Sequence, residues 1–228
     1  MKTDNHFYAI IVAGGSGKRM GNVIPKQFML LKDLPVLMHT INAFFLNTYK
    51  PNIILVLPKD EEIFWKELIE KHHFKVPHQI VYGGSERFHS VKNALSIIKD
   101  SNSIVAIHDG VRPLVSQDTI SNCFQTALTK GNAIAAVPAK DSIRKVKNNL
   151  SEALNRSEIY LVQTPQAFSF EQLRSAYKQE YSINFTDDAS VVEEAGFPIH
   201  IENGDEFNFK ITFKEDLIIA EALLKSNI

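Results

Sequence analysis

The sequence predicts an α/β protein with a doubly wound, mostly parallel sheet and a protruding β-arm. Three observations carry that prediction. Short runs rich in Ile and Val alternate with stretches whose apolar residues recur at helical spacing. Those runs are apolar on both faces, as strands covered by helices above and below must be. The length, 228 residues, suits one domain, 1–228. In order, Phe7–Val12, Asn52–Leu57, 103–107 and 133–137 read as strands, and Val36–Phe45, 61–72, 90–98 and 119–128 as amphipathic helices. Strands separated by helices make βαβ units. The pattern breaks after Pro138. The stretch KDSIRKVKNNL is polar and basic, alternates briefly at Ile143 and Val146, and turns at Asn148-Asn149. Residues 138–156 therefore read as a projecting hairpin arm outside the sheet. The main fold resumes with IYLVQTPQAF and closes with a helix over 216–225.

Composition removes several function classes. Twenty-five Lys and Arg against 26 Asp and Glu give a net charge of −1, not the basic surface of a nucleic-acid protein. One cysteine, Cys123, rules out an internal disulfide and a cysteine metal site. The polar start carries no signal-peptide pattern, and no apolar run approaches the roughly 20 residues of a membrane span. The cytoplasm is the expected compartment.

The first strand leads into Ala13-Gly14-Gly15-Ser16-Gly17-Lys18-Arg19-Met20, followed by Pro25-Lys26-Gln27. Glycines directly after a first strand turn the backbone tightly and bring N–H groups against phosphate oxygens. A P-loop needs Ser or Thr where Arg19 stands, and a dinucleotide fingerprint needs Gly where Met20 stands. Lys18, Arg19 and Lys26 instead suit a triphosphate whose charge must be offset; a plain strand-to-helix turn with solvated cations would have the same composition.

The ordered segments AGGSGKRM…PKQF, GGSERFHSV, HDGVRPLV, VPAKDS, QTPQAF, TDDAS and NFKIT span Ile10 to Thr212. This set resembles the sugar nucleotidyltransferases, and within them the 2-C-methyl-D-erythritol 4-phosphate cytidylyltransferase family of the non-mevalonate isoprenoid route. The resemblance implies a Rossmann-like nucleotidyltransferase fold, CTP and a small alditol phosphate as substrates, and Mg²⁺ as cofactor. It also implies a homodimer clasped through the arm. Ala13, Gly14, Gly15, Lys18, Gly84, Ser85, Ser90, Asp109 and Gly110 would then meet the nucleotide. Asp109, Ser142, Arg156, Thr164, Thr186 and Lys210 would meet the acceptor, and Arg19, Lys26, Arg156 and Lys210 would stabilise the transition state. Position 85 is often acidic in that family, position 142 is usually Thr, and Gly110-Val111 replaces a commoner alanine pair.

The residues carry part of this unaided. Asp109 follows the predicted parallel strand 103–107, at the carboxyl end where open α/β sheets bind ligands, and Mg²⁺ favours few carboxylates plus substrate phosphates. His108 reads as a satisfied structural histidine. Glu86 and Arg87 could simply face solvent in a first helical turn. Thr186 could cap a helix whose dipole Asp187 and Asp188 favour. Two rivals stand beside this reading: a ribitol 5-phosphate cytidylyltransferase, and a non-catalytic nucleotide-binding module that would lack Arg19, Lys26 or Asp109.

Overall fold

The computed structural model describes residues 6–14 and 24–225. Gly15, Lys18 and Arg19 of the glycine turn lie outside the described residues. Among the described residues there are eleven strands and seven α-helices, and strand and helix alternate as expected from Leu34 to Pro138. The strands are β1 (Phe7–Val12), β2 (Leu30–Leu31), β3 (Leu34–Pro35), β4 (Asn52–Leu57), β5 (Gln79–Tyr82), β6 (Ile104–Asp109), β7 (Asn132–Pro138), β8 (Arg144–Lys147), β9 (Leu150–Ala153), β10 (Tyr160–Ser169) and β11 (Ile201–Asn203). The helices are α1 (Val36–Phe45), α2 (Glu62–Lys71), α3 (Arg87–Leu95), α4 (Gln117–Lys130), α5 (Phe170–Ala176), α6 (Asp188–Glu194) and α7 (Lys214–Lys225).

Seven strands form the central sheet in the order β11-β7-β10-β6-β1-β4-β5. Every neighbouring pair is parallel except those made by β10, which is antiparallel to both β6 and β7. Period-two alternation in the strands feeds two cores. Ala9, Ile11, Ile53 and Leu55 pack on one face against Met38, Ile41, Trp65 and Phe124 of α1, α2 and α4. Ile10, Ile54, Val56 and Ile107 pack on the other against Phe88, Leu173 and Val192 of α3, α5 and α6. Both faces are thus covered, which is why these strands read as continuous apolar runs.

The antiparallel β10 follows from its connection. β7 leaves the sheet, the chain forms the arm, and β10 returns beside β7 with Tyr160 opposite Pro138. A chain that returns through a hairpin pairs antiparallel. The arm is the β8–β9 hairpin with all eight strand residues exposed. Its two-residue turn places Asn148 and Asn149 at φ 50° and 62°, the doubly left-handed conformation of a type I′ turn, which Asn tolerates. No described helix is long and apolar enough to cross a membrane.

Candidate active site

The carboxyl ends of β1 and β6 and the loop after β5 enclose a cavity of about 360 Å³. Ala13, Gly14, Lys26, Gly84, Ser85, Arg87, Ser90, Asp109 and Lys210 line it. A second cavity of about 330 Å³ is lined by Arg112, Gln163, Thr164, Thr186 and Asp187, and it shares Arg87, Asp109 and Lys210 with the first. Those three side chains are the partition between two compartments.

Each wall has a local cause. His108 and Asp109 remain in the β6 ladder opposite Ile11 and Val12 of β1, so the strand itself delivers the Asp109 carboxylate to the sheet edge. Gly84 donates its N–H to Ser90 Oγ at 3.1 Å. A Cβ on Gly84 would stand 2.4 Å from the Cβ of His89, so only glycine lets the loop close onto α3. Ser85 does not cap α3: Glu86 occupies that position with no side-chain cap, and Ser85 Oγ lies 3.1 Å from His89 Nδ1. Lys26 sits in a short 3₁₀ turn with 9% of its surface exposed. Its neighbour Gln27 is buried and donates to the Ala13 carbonyl at 3.1 Å and to Glu61 Oε2 at 2.8 Å, tying that turn to the end of β1.

The partition is electrostatically dense. Asp109 Oδ2 lies 3.0 Å from Lys210 Nζ and 3.4 Å from Arg112 Nε, while Oδ1 lies 3.8 Å from Arg87 Nε. Burial by itself would raise the Asp109 pKa, but Arg87, Lys210 and Arg112 outweigh it and hold the carboxyl well below the usual range. Arg87 is the residue sequence reasoning misplaced. Rather than facing solvent, it pairs with the fully buried Asp188, Nη2 to Oδ2 2.7 Å. A cation in the first turn of a helix opposes the helix dipole, and that was the available signal. Arg112 props the site through Asp109 and the Asn208 carbonyl, which its Nη1 reaches at 2.7 Å.

His108 is structural, as expected. Its Nε2–H donates to the Arg112 carbonyl at 3.0 Å, which leaves Nδ1, 3.1 Å from Thr164 Oγ1, to accept. Burial pushes its pKa down to about 4. Thr164 faces the second cavity, but its hydroxyl also accepts the Asp109 N–H at 3.0 Å. Gly110 is buried away from both linings, with Leu37 and Ala13 side chains closing its Cα face. At α6 the cap is Asp187, not Thr186, in a capping box with Ser190. Thr186 stays exposed on the second cavity. Lys210 lies on irregular chain rather than on a strand. Ser142 and Arg156 line neither cavity of their own chain; both are exposed on the arm, where Arg156 Nη1 donates to the Lys140 carbonyl at 2.7 Å.

Among the described residues no group of three His, Cys, Asp or Glu side chains could hold a metal. Asp109 alone, with Oδ1 the less engaged oxygen, suits a Mg²⁺ that takes most of its shell from phosphate and water.

A sequence model of the family described as 2-C-methyl-D-erythritol 4-phosphate cytidylyltransferase matches residues 7–226. The chain is 47% identical over 216 residues to the protein of that name from Bacteroides fragilis, covering 95% of this chain and 98% of the relative. It is 48% identical over 220 residues to the one from Porphyromonas gingivalis, covering 96% and 98%. Among solved structures, 4-diphosphocytidyl-2C-methyl-D-erythritol synthase from Anaerococcus prevotii superposes with a TM-score of 0.81 at 28% identity, over 97% of this chain and 96% of that one. The 2-C-methyl-D-erythritol 4-phosphate cytidylyltransferase of Francisella tularensis gives 0.78 at 32% identity, over 96% and 99%.

Proposed function

The chain belongs to the 2-C-methyl-D-erythritol 4-phosphate cytidylyltransferase family, and we propose that it joins CTP to 2-C-methyl-D-erythritol 4-phosphate. The products are the CDP-alditol, an isoprenoid precursor, and pyrophosphate. The observation that carries this reading is the shared partition: two cavities, one at the glycine turn and one beside Thr186, meet at Arg87, Asp109 and Lys210. A two-substrate transfer needs that layout, because the nucleophile and the phosphorus must approach across one wall.

CTP lies in the first cavity with its triphosphate toward Gly14 and Lys26, and the acceptor phosphate lies in the second. An acceptor phosphate oxygen attacks the α-phosphorus in line, the bond to the bridging oxygen breaks, and pyrophosphate leaves. The acceptor arrives as an anion, so no residue has to remove a proton. Lys26, Lys210 and Arg87 offset the charge that spreads over the phosphoryl oxygens. Arg19 joins them, as the resemblance implies, and Lys18 meets the nucleotide. Asp109, kept ionised by its cations, would hold Mg²⁺, which when bound neutralises triphosphate charge.

The arm points to a homodimer. Val146 and Leu150 on the hairpin are 69% and 77% exposed, and Leu161 at its base is 54% exposed. A lone hairpin is marginally stable in water. Ser142 and Arg156 line neither of the two cavities of their own chain, which supports their delivery to a partner's acceptor compartment. A CTP-consuming enzyme whose one cysteine is buried and free fits the reducing cytoplasm.

The test supplies purified protein with Mg²⁺ and CTP, UTP or ATP, against methylerythritol 4-phosphate or ribitol 5-phosphate. The expected result is fast turnover only with CTP and methylerythritol 4-phosphate. A preference for ribitol 5-phosphate would overturn the acceptor and leave the transfer chemistry standing.

A further inference from the structure

Three helices start or end on one buried chain of polar contacts. Arg87 is the first residue of α3, Asp188 the first of α6, and Tyr177 the residue that closes α5. The Tyr177 hydroxyl donates to Asp188 Oδ1 at 2.6 Å, and Asp188 Oδ2 takes Arg87 Nη2 at 2.7 Å. Tyr177 is 4% exposed and Asp188 not at all. From this chain we infer that Tyr177 and Asp188 are positioning residues: they hold the Arg87 guanidinium in the partition between the two cavities. The inference rests on the cytidylyl-transfer reading for what Arg87 does there.

Arg87 has two carboxylates within reach. Asp188 lies at ion-pair contact, whereas Asp109 lies 3.8 Å from Arg87 Nε, beyond hydrogen-bond range. A shift of about 1 Å toward Asp109 would bring Arg87 into direct contact with that carboxylate. It would also give Asp109 a third close cation beside Lys210 and Arg112, and turn the guanidinium away from where two phosphates meet. Asp188 prevents this only if its own carboxylate cannot rotate. Tyr177 holds the oxygen that Arg87 does not use, so the two contacts together fix the carboxylate plane. The backbone beneath is pinned as well: Gln166 of β10 donates to Asp187 Oδ2 at 2.8 Å and accepts the Ala189 N–H at 2.9 Å. The Tyr177 ring stacks on Phe88, centroids 4.8 Å apart, so removing the hydroxyl leaves the ring its seat. The sheet therefore sets α6, α6 sets Asp188, and Asp188 with Tyr177 sets Arg87.

The alternative is that these contacts merely join three helices. Tyr177→Phe separates the two, because it deletes one buried oxygen and keeps the packing. Positioning predicts a kcat lower by about tenfold, both KM values within about threefold of wild type, and a melting midpoint only a few degrees lower. In an Asp188→Asn background the same change should cost less than about twofold more, since the contact it removes already serves nothing. Should Asp188→Asn not fold, Arg87→Lys supplies the background for the same cycle. An activity-independent readout comes from the Arg87 Nη resonances in ¹⁵N-labelled protein, assigned through Arg87→Lys; because Nη2 makes the Asp188 contact, rotation of the guanidinium should be slow in wild type and faster in Tyr177→Phe. An unchanged resonance with an unchanged kcat would overturn the inference, as would losses that simply add. If wild type showed no transfer at all while the resonance still responded, the functional reading would fail and the tether would stand.

Discussion

Asp109 is the one carboxylate shared by both cavities, and three cations hold it ionised. Asp109→Asn keeps the shape and removes the charge, so the Mg²⁺ concentration needed for half-maximal rate should rise at least about tenfold, since even an outer-shell partner of a metal contributes about that much. An unchanged metal dependence would take Asp109 out of that role. Lys26→Ala should lower kcat by roughly a hundredfold or more, the scale of one lost electrostatic donor, with a smaller change in CTP binding; a near-normal kcat would make it a packing lysine. Both residues were legible in the sequence, because a glycine turn and a strand-terminal acid announce themselves locally. Arg87 was not, because its meaning depends on Asp188, a residue remote in sequence that only the packing of α3 on α6 brings to it. The same holds for His78. It accepts the Nε1–H of Trp65, the chain's only tryptophan, at 3.0 Å, and its Nδ1–H donates to the Val76 carbonyl at 2.8 Å. Accepting from Trp65 requires a neutral ring, and burial outweighs the opposing Val76 contact to lower its pKa below 6.5. The folded state therefore binds fewer protons here than the unfolded state. Stability is present above pH 6.5 and declines as pH falls through the folded pKa. Urea midpoints between pH 7 and 5, followed by Trp65 fluorescence, should fall with pH. His78→Gln, which keeps an acceptor and cannot charge, should flatten part of that slope; an identical slope would mean other groups carry it.

At the scale of elements, β1, β4 and α1 fall where the sequence pattern puts them, since β1 and β4 are continuous apolar runs and α1 repeats at helical spacing over its whole length. β5 and β11 are edge strands of four and three residues, too short for periodicity to separate them from loops. α3 starts three residues earlier than its apolar spacing suggests, because its first turn serves the site through Arg87 as well as the core through Phe88. The antiparallel direction of β10 was invisible for another reason: strand residues carry no mark of direction, and only the hairpin path through the arm sets it. The arm itself was legible from its basic composition and its Asn pair. Asn149, at φ 62°, gives a test at this scale. Asn149→Val forces a β-branched residue into the left-handed region and should destabilise the arm by about 1–2 kcal/mol, whereas Asn149→Gly should be tolerated. Hydrogen exchange of the β8 and β9 amides would show faster opening in the valine variant alone; equal exchange in both would mean the turn does not fix the hairpin.

For the whole molecule, the sheet gathers residues from Ala13 to Lys210 at one edge, while Ser142 and Arg156 are carried away on the arm. If those two serve a partner's acceptor cavity, Lys26→Ala and Arg156→Ala protein, each strongly impaired alone, should regain part of the activity when mixed and allowed to exchange subunits. Some mixed dimers then hold one intact site. No recovery despite confirmed exchange would refute the shared site. The central claim, transfer of a cytidylyl group across the partition, is reached most directly by following ³¹P resonances of CTP and methylerythritol 4-phosphate with the purified protein. The account predicts that pyrophosphate and a new diphosphodiester appear together in equal amounts, and only when both substrates are present. Pyrophosphate or phosphate released without the acceptor, or no diphosphodiester with both present, would contradict it.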